Sequence, residues 1–473
     1  MLVTFEDVVD MNTETARAHG TPNIRYVSSS RFVPGPEDVD SFVESTLEAL
    51  MQPLTEKEKE STTWAPPTSR VLFEGTLDEA DTFYQQTRHI PAPLNAPIAI
   101  YTDGFPVRIP TEERVREMLT GTSHKPDELI TYQSDRVIRS ADIPGEGGEG
   151  KLGEPVRFQP LKRTATVEQV AVNAVMAGCK PEHLPAVLAI AESGSLNGDN
   201  VLIVVSGPFA KEVGMNTGNG FLDPGNPANS TIGRCGQLMA INLGGAVPGV
   251  NRMHASMGGP FNRGGMCIAE NADGVPEGWK GLNEEHGFEK DESAVVVMGA
   301  SGIQTNFGGQ FSPGGYRAFQ KSGHGGIARR LGVKGIPGPH NFLEFHAHSL
   351  WAAGEGGRTF IMVPEMAKHL RDYGFTSKEL VYKWLYNESF IPLKDYRNRS
   401  WPDLRTNGWM GIEETSGKHW KELDDDYMIP LVRDPFDCCI IVAGGPEEVV
   451  LTLSGGRNSA MGASPAYGID TWR

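Results

Sequence analysis

Apolar and polar positions along this chain alternate between two periods. Residues 37–52, EDVDSFVESTLEALMQ, place Val39, Phe42, Val43, Leu47, Leu50 and Met51 at helical spacing. Pro53 ends that stripe. Residues 1–36 carry no comparable period and read as an arm, and TEKEKESTTWAPPTS reads as an exposed linker.

From residue 71 the pattern becomes strand, helix, strand, helix. VLF predicts a short strand, and Thr76 with Glu79 predicts a capping box for LDEADTFYQQ. APIAIYTDG predicts a strand and turn. TEERVREML predicts a helix with Glu112 and Glu113 in the favoured first turn. IPGEGGEGKLGEPV, residues 143–156, is a glycine-rich loop and a boundary. Three later segments resemble one another: NVLIVVSGPFAKEVG, RTFIMVPEMAKHLRDYG and DCCIIVAGGPEEVVLTL. Each reads as a buried strand, a proline and a helix start. Either the chain is internally duplicated or it repeats the strand–turn–helix unit common to α/β proteins.

The order predicts an α/β fold: open, mixed or mostly parallel sheets with flanking helices and pseudo-repeated βα units, after a helical N-terminal extension. The expected divisions are an arm and helix over 1–70, a small α/β segment over 71–150 and a main catalytic region over 151–473. A chain of 473 residues, 39% hydrophobic, is long enough for several such layers.

A cysteine falls at a conspicuous joint. In TATVEQVAVNAVMAGCKPEHLPAVLAIAES, Thr166 and Gln169 form a second capping box, Gly178 is a C-terminal stop and Pro181 fits the next helix's first turn. Cys179 between them lies at or just before a helix N-terminus, where the dipole can lower a thiol pKa. A small buried packing residue is the plain alternative.

Cys267 reads as part of a short strand, GGMCIAENADG, with Glu270 and Asn271 at its end. Together with Cys179 they offer a nucleophile, an acid/base and an orienting group. Core packing explains Cys267 equally well. The amide-rich loop MNTGNGFLDPGNPANSTIGR, leading into a helix capped by Asn229 or Ser230, supplies Asn216, Asn219 and Arg234 as substrate contacts, with Asn173 upstream. Its plain alternative is a surface loop. Cys235, Cys438 and Cys439 read as structural, the last two pointing to opposite faces of a strand.

HNFLEFHAHSLW offers a second chemistry. As a strand it aligns Glu344, His346 and His348 on one side, a set that can hold Zn²⁺ or Fe²⁺ for a hydratase, lyase or hydrolase. Paired or solvated histidines are the plain alternative. SGHGGIARRLG comes close to a dinucleotide motif but follows no strand, so no nucleotide cofactor is expected. FGGQFSPGGYRAF reads as a lid.

Composition narrows the classes. Net charge is −17, from 60 acidic and 43 basic residues, which disfavours a nucleic-acid partner. No 18-residue apolar run exists to span a membrane. The first residues, MLVTFEDVVDMNTE, lack a signal-peptide pattern, and five cysteines make no disulfide framework. A cytoplasmic protein is expected.

Four stretches in series resemble the UGSC-like family, which is named for a Gly-Ser-Cys motif preceded in many members by selenocysteine or cysteine. They are TDGFPVRIPTEERVREMLTGTSHKPDE, ATVEQVAVNAVMAGCKPEHLPAVLAIAE, SGPFAKEVGMNTGNGFLDPGNPANSTIGR and CIAENAD. The likeness runs from about residue 70 to the C-terminus and is densest over 100–300. The ending AGGPEEVVLTLSGGRNSAMGASPAYG looks like a diverged form of the family's terminal segment. No Gly-Ser-Cys occurs in this chain. The resemblance implies an oligomeric enzyme of thiol-dependent redox or group-cleavage chemistry on a small polar substrate. The missing motif also implies a second subunit of the same family that carries it, which would make this chain a non-catalytic partner.

Overall fold

The computed structural model describes residues 1–18, 20–29, 39–60, 70–90, 94–134, 151–194, 201–223, 225–248, 251, 266–299, 303–304, 358–395, 412–413, 416–430, 435–446, 450–454, 458–459, 462–463 and 465–473. Over these residues the chain is a mixed α/β fold.

The N-terminal stretch is more ordered than its pattern predicts. Strand β1 (Leu2–Phe5) pairs in parallel with β2 (Tyr26–Ser29) across helix α1 (Val9–Ala18). Helix α2 (Val39–Met51) follows, and a short α3 (Glu56–Lys59) interrupts the expected linker behind a Thr55–Glu58 capping box. Helix α4 (Leu77–Tyr84) has the Thr76–Glu79 box read from sequence. VLF forms no strand. Phe73 stacks on Phe83 with ring centroids 5.2 Å apart. The strand here is β3 (Thr87–Ile90), antiparallel to β4 (Ala96–Ala99). Helix α5 (Glu112–Met118) is capped by Thr111.

Two four-stranded sheets form the centre. Helices α6 (Val167–Ala177) and α7 (Leu184–Glu192) precede β5 (Val201–Ser206). A short α8 (Phe209–Glu212) and the long α9 (Pro227–Asn242) lead to β6 (Met266–Ala269). Helix α10 (Leu282–Glu285) then precedes β7 (Ala294–Gly299) and β8 (Ile303–Gln304). The later half runs β9 (Arg358–Met362), α11 (Pro364–Tyr373), α12 (Lys378–Glu388), the pair β10 (Phe390–Pro392) and β11 (Met428–Pro430), then β12 (Cys439–Val442) and β13 (Val450–Ser454). A small ladder of β14 (Asn458–Ser459) and β15 (Gly462–Ala463) precedes β16 (Ala466–Gly468).

The two sheets share one plan. The first has order β6-β5-β7-β16, and the second β12-β9-β13-β8. In each, the outer pair is parallel (β5 with β6, β9 with β12) and the next two pairings are antiparallel. Each half also gives its fourth strand to the other's sheet: β8 follows β7 but pairs with β13, and β16 closes the first sheet against β7. Two of the three similar segments occupy corresponding places, β5 and β9 being the second strands of their sheets; the third supplies the edge strand β12 and ends in strand β13 where a helix start was expected.

Alternation along the strands builds four layers. Leu202, Val204, Ile268 and Val296 meet Ile361, Cys439, Ile441 and Leu453 in a core between the sheets. The opposite face of the first sheet, including Ile203, Val205 and Val297, packs under α6, α7 and α9. That of the second, including Phe360, Ile440 and Val442, packs under α11 and α12. Cys438 and Cys439 fall in different cores, as adjacent strand residues must. Val115, Met118, Ile130 and Tyr132 join the α6–α7–α9 core. No helix among the described residues is long and apolar enough to cross a membrane.

Candidate functional site

The joint at Cys179 is built locally. Helix α6 starts at the Thr166–Gln169 capping box and ends at Gly178, whose φ is +87°. The Gly178 amide donates to Val175 O and the Cys179 amide to Ala174 O, both at 2.9 Å. This paired closure is a Schellman motif, in which the residue after the glycine folds back onto the helix. Cys179 is that residue, and it is 0% exposed. Its backbone is therefore fixed by α6 rather than by the helix that follows.

That next helix begins with a 3-10 turn at Pro181–His183 and continues as α7. His183 is buried, and its Nδ1 accepts the Lys180 amide at 3.2 Å. In the neutral ring this leaves the proton on Nε2. Gly121 lies under the turn: a Cβ there would sit 1.9 Å from Pro181 O.

Helix α9 supplies the facing wall. Thr231 and Cys235 lie four residues apart, so they share one helix face. Both side chains, together with His183, lie near enough to Cys179 to act on its titration. Burial pushes the Cys179 thiol up, but interactions with Cys235, His183 and Thr231 outweigh it. The net effect brings the thiol down to about 6. Cys235 moves the opposite way, raised by burial and by serving as donor to Cys179. To the helix terminus expected from sequence the structure adds this set of side chains. Cys235, read from sequence as structural, belongs to the cluster. The signal that marks it is the Thr231–Cys235 spacing.

Cys267 points from β6 into the same core and is 6% exposed. Burial, with a smaller contribution from Cys179, drives its thiol far above the usual range. Cys179 and Cys267 thus share a core, but Cys267 is raised there and Cys179 lowered.

Glu270 lies elsewhere. It is three residues beyond Cys267, so strand alternation puts it on the opposite side of the sheet. There Glu270 Oε2 accepts Ser206 Oγ and the Leu282 amide, each at 2.7 Å, and Oε1 accepts Lys378 Nζ at 3.3 Å. Lys378 Nζ also donates to Glu285 at 3.2 Å, and Tyr382 OH donates to Glu285 at 3.1 Å. Asn271 caps the adjacent turn through Gly274 N at 3.1 Å. The thiols and Glu270–Asn271 are two clusters, not one.

The expected substrate contacts are occupied by the chain itself. Asn173 Nδ2 donates to Gln169 O, and its Oδ1 accepts Asn242 Nδ2. Asn216 Nδ2 donates to Asn219 O and to Asn226 Oδ1, while its backbone exchanges hydrogen bonds with the Asn229 amide. Asn219 lies against Gly445, where a Cβ would sit 1.6 Å from its Oδ1. Arg234 forks onto Asp103, both bonds at 2.9 Å, and also donates to Pro106 O. Helix α9 is capped by neither Asn229 nor Ser230. Its N-cap residue is Asn226, whose side chain instead ties the loop to Gly220 O and Asp223 O. Glu344, His346 and His348, the glycine-rich SGHGGIARRLG and the lid FGGQFSPGGYRAF lie outside the described residues. Among the described residues no three metal-ligating side chains gather.

Comparison with protein-family models, with curated proteins and with solved structures yields no match to this chain. The geometry of the thiol cluster is therefore the ground for a functional reading.

Proposed function

We propose that the chain is a small-molecule enzyme of thiol chemistry, with Cys179 as nucleophile, His183 and Thr231 supporting its thiolate and Cys235 sharing its proton. One observation carries this reading: Cys179 shares a core with Cys235 and Cys267, and there Cys235, His183 and Thr231 draw its thiol down against its own burial. Cys235, Cys267 and Cys438 all go the other way. The resemblance to the UGSC-like family points to the same class of chemistry.

A thiolate beside a neutral thiol suits exchange with a small disulfide. Cys179 attacks one substrate sulfur, and the other leaves as a thiolate. Cys235 then attacks the Cys179 sulfur, losing its proton, and the held fragment leaves as a second thiol. The substrate becomes two thiols and the pair becomes a disulfide. Group cleavage uses the same first attack on carbon, with Cys235 returning a proton to the leaving group. Either course requires the α6–α7 joint to open, because Cys179 is wholly covered. All five cysteines are free and buried, which suits a reducing, cytoplasmic setting. A family partner bearing the Gly-Ser-Cys motif would be the natural exchange partner in an oligomer.

The test is mass mapping after exposure to hydroxyethyl disulfide. The reading expects a mixed disulfide on Cys179 that accumulates in Cys235→Ser and is absent from Cys179→Ser. Modification spread over Cys267 and Cys438, or none before unfolding, overturns it.

A further inference from the structure

Helix α2 has two apolar faces, and among the described residues only one is covered. Phe42, Thr46 and Ala49 are partly buried on the side toward β2. Arg25 locks the end of the helix, donating to Ala49 O, Gln52 O and Pro53 O and pairing with Glu58 of α3 at 2.6 Å. The helix is thus anchored by its C-terminal turn. The neighbouring face is open. Val43 is 49% exposed, Leu47 53%, Leu50 62% and Leu54, just past the helix, 54%. Met51 is 77% exposed beside them.

At ~100° per residue Val43, Leu47, Leu50 and Met51 share one arc of the helix surface. The spacing of four and three residues from Val43 through Leu47 to Leu50 is that of a coiled-coil seam. Asp40, Glu44 and Glu48, four residues apart, run along one edge of the stripe, and all three are exposed. A contiguous apolar patch with a charged rim marks an interaction surface.

The rim decides what can cover it. Anionic lipid is repelled by three carboxylates. A second copy brings a net charge of −17 and, packed antiparallel about a two-fold, sets the two acidic rows against each other. We propose that this face of α2 docks an amphipathic helix of a partner protein that carries lysine or arginine along one side of its apolar stripe. The seam spacing accounts for a helix as occupant, and the acidic row accounts for its charge.

The experiment uses the full chain and a fluorescent amphipathic peptide of leucine and lysine, with its leucine–glutamate counterpart as control. Anisotropy should show saturable binding of the leucine–lysine peptide only, weakened by salt. Leu47→Glu/Met51→Glu should weaken it at least tenfold. Glu44→Lys/Glu48→Lys should transfer the preference to the leucine–glutamate peptide. These positions are exposed, and far-UV circular dichroism of the variants should match the parent. Three results overturn the proposal: no binding, equal binding to the Leu47→Glu/Met51→Glu variant, or a dimer in sedimentation that Leu47→Glu dissolves.

Discussion

Lys378 Nζ lies 3.3 Å from Glu270 Oε1, and this pair joins the two halves of the molecule. Glu270 follows β6 of the first sheet, and Lys378 opens α12 over the second. Both side chains are essentially dry, at 2% and 1% exposure. A lysine at a helix N-terminus opposes the dipole, so the carboxylates of Glu270 and Glu285 hold it there. Lys378→Met should take the lysine counter-charge from the buried Glu270 carboxylate and cost about 3–5 kcal/mol. Adding Glu270→Gln to it should recover part of that loss. Urea unfolding of the single and double variants checks both statements; equal stabilities for all three proteins would show the pair to be idle.

Glu192 gives the fold a pH dependence of definite sign. Its carboxyl is buried at the end of α7, where it accepts the Gln133 amide and Trp472 Nε1, and burial raises it to about 7 from 4.5. Between those two values the folded chain keeps a proton that the unfolded chain has released. Stability should therefore fall as pH rises from 4.5 to 7, by about 3 kcal/mol, and then level off. Glu192→Gln should flatten this fall in denaturation series at pH 5 and pH 8. It should also cost about 1 kcal/mol at the lower pH, since one amide oxygen must replace two acceptors.

Gly121→Ala tests the floor of the Cys179 joint. The new methyl would fall 1.9 Å from Pro181 O, a backbone atom that can yield only if the turn shifts. A loss of about 1–3 kcal/mol is expected, the usual range for overpacking. Cys179 should also become faster to alkylate under native conditions. Unchanged stability and unchanged alkylation would mean that the turn is already loose.

Local signals in the sequence translated well. The Thr76–Glu79 and Thr166–Gln169 boxes, the left-handed Gly178 and the apolar runs of β5, β9 and β12 depend on residues within a few positions of each other. Long-range partners were not legible. Nothing in the sequence around Ile303 says that its strand joins β13, nor that Tyr467 closes the first sheet. The amides of Asn173 and Asn216 looked available because their acceptors, such as Asn226 Oδ1 for Asn216, are known only once the loop has folded. Cys235 was missed for the same reason: its partner lies on another helix, 56 positions away in the chain. Glu270 parts from Cys267 through strand alternation, a relation the sequence does contain once β6 is recognised.

The most direct test of the central claim is the pH dependence of Cys179 alkylation by iodoacetamide, read cysteine by cysteine by mass spectrometry. A depressed thiol stays reactive as pH falls toward about 6, where the raised thiols of Cys235, Cys267 and Cys438 are inert. The account predicts a midpoint near 6 for Cys179, moved upward by His183→Gln and by Cys235→Ala, each of which removes a group that holds the thiolate. A midpoint near the ordinary thiol value, unmoved by either substitution, would contradict it.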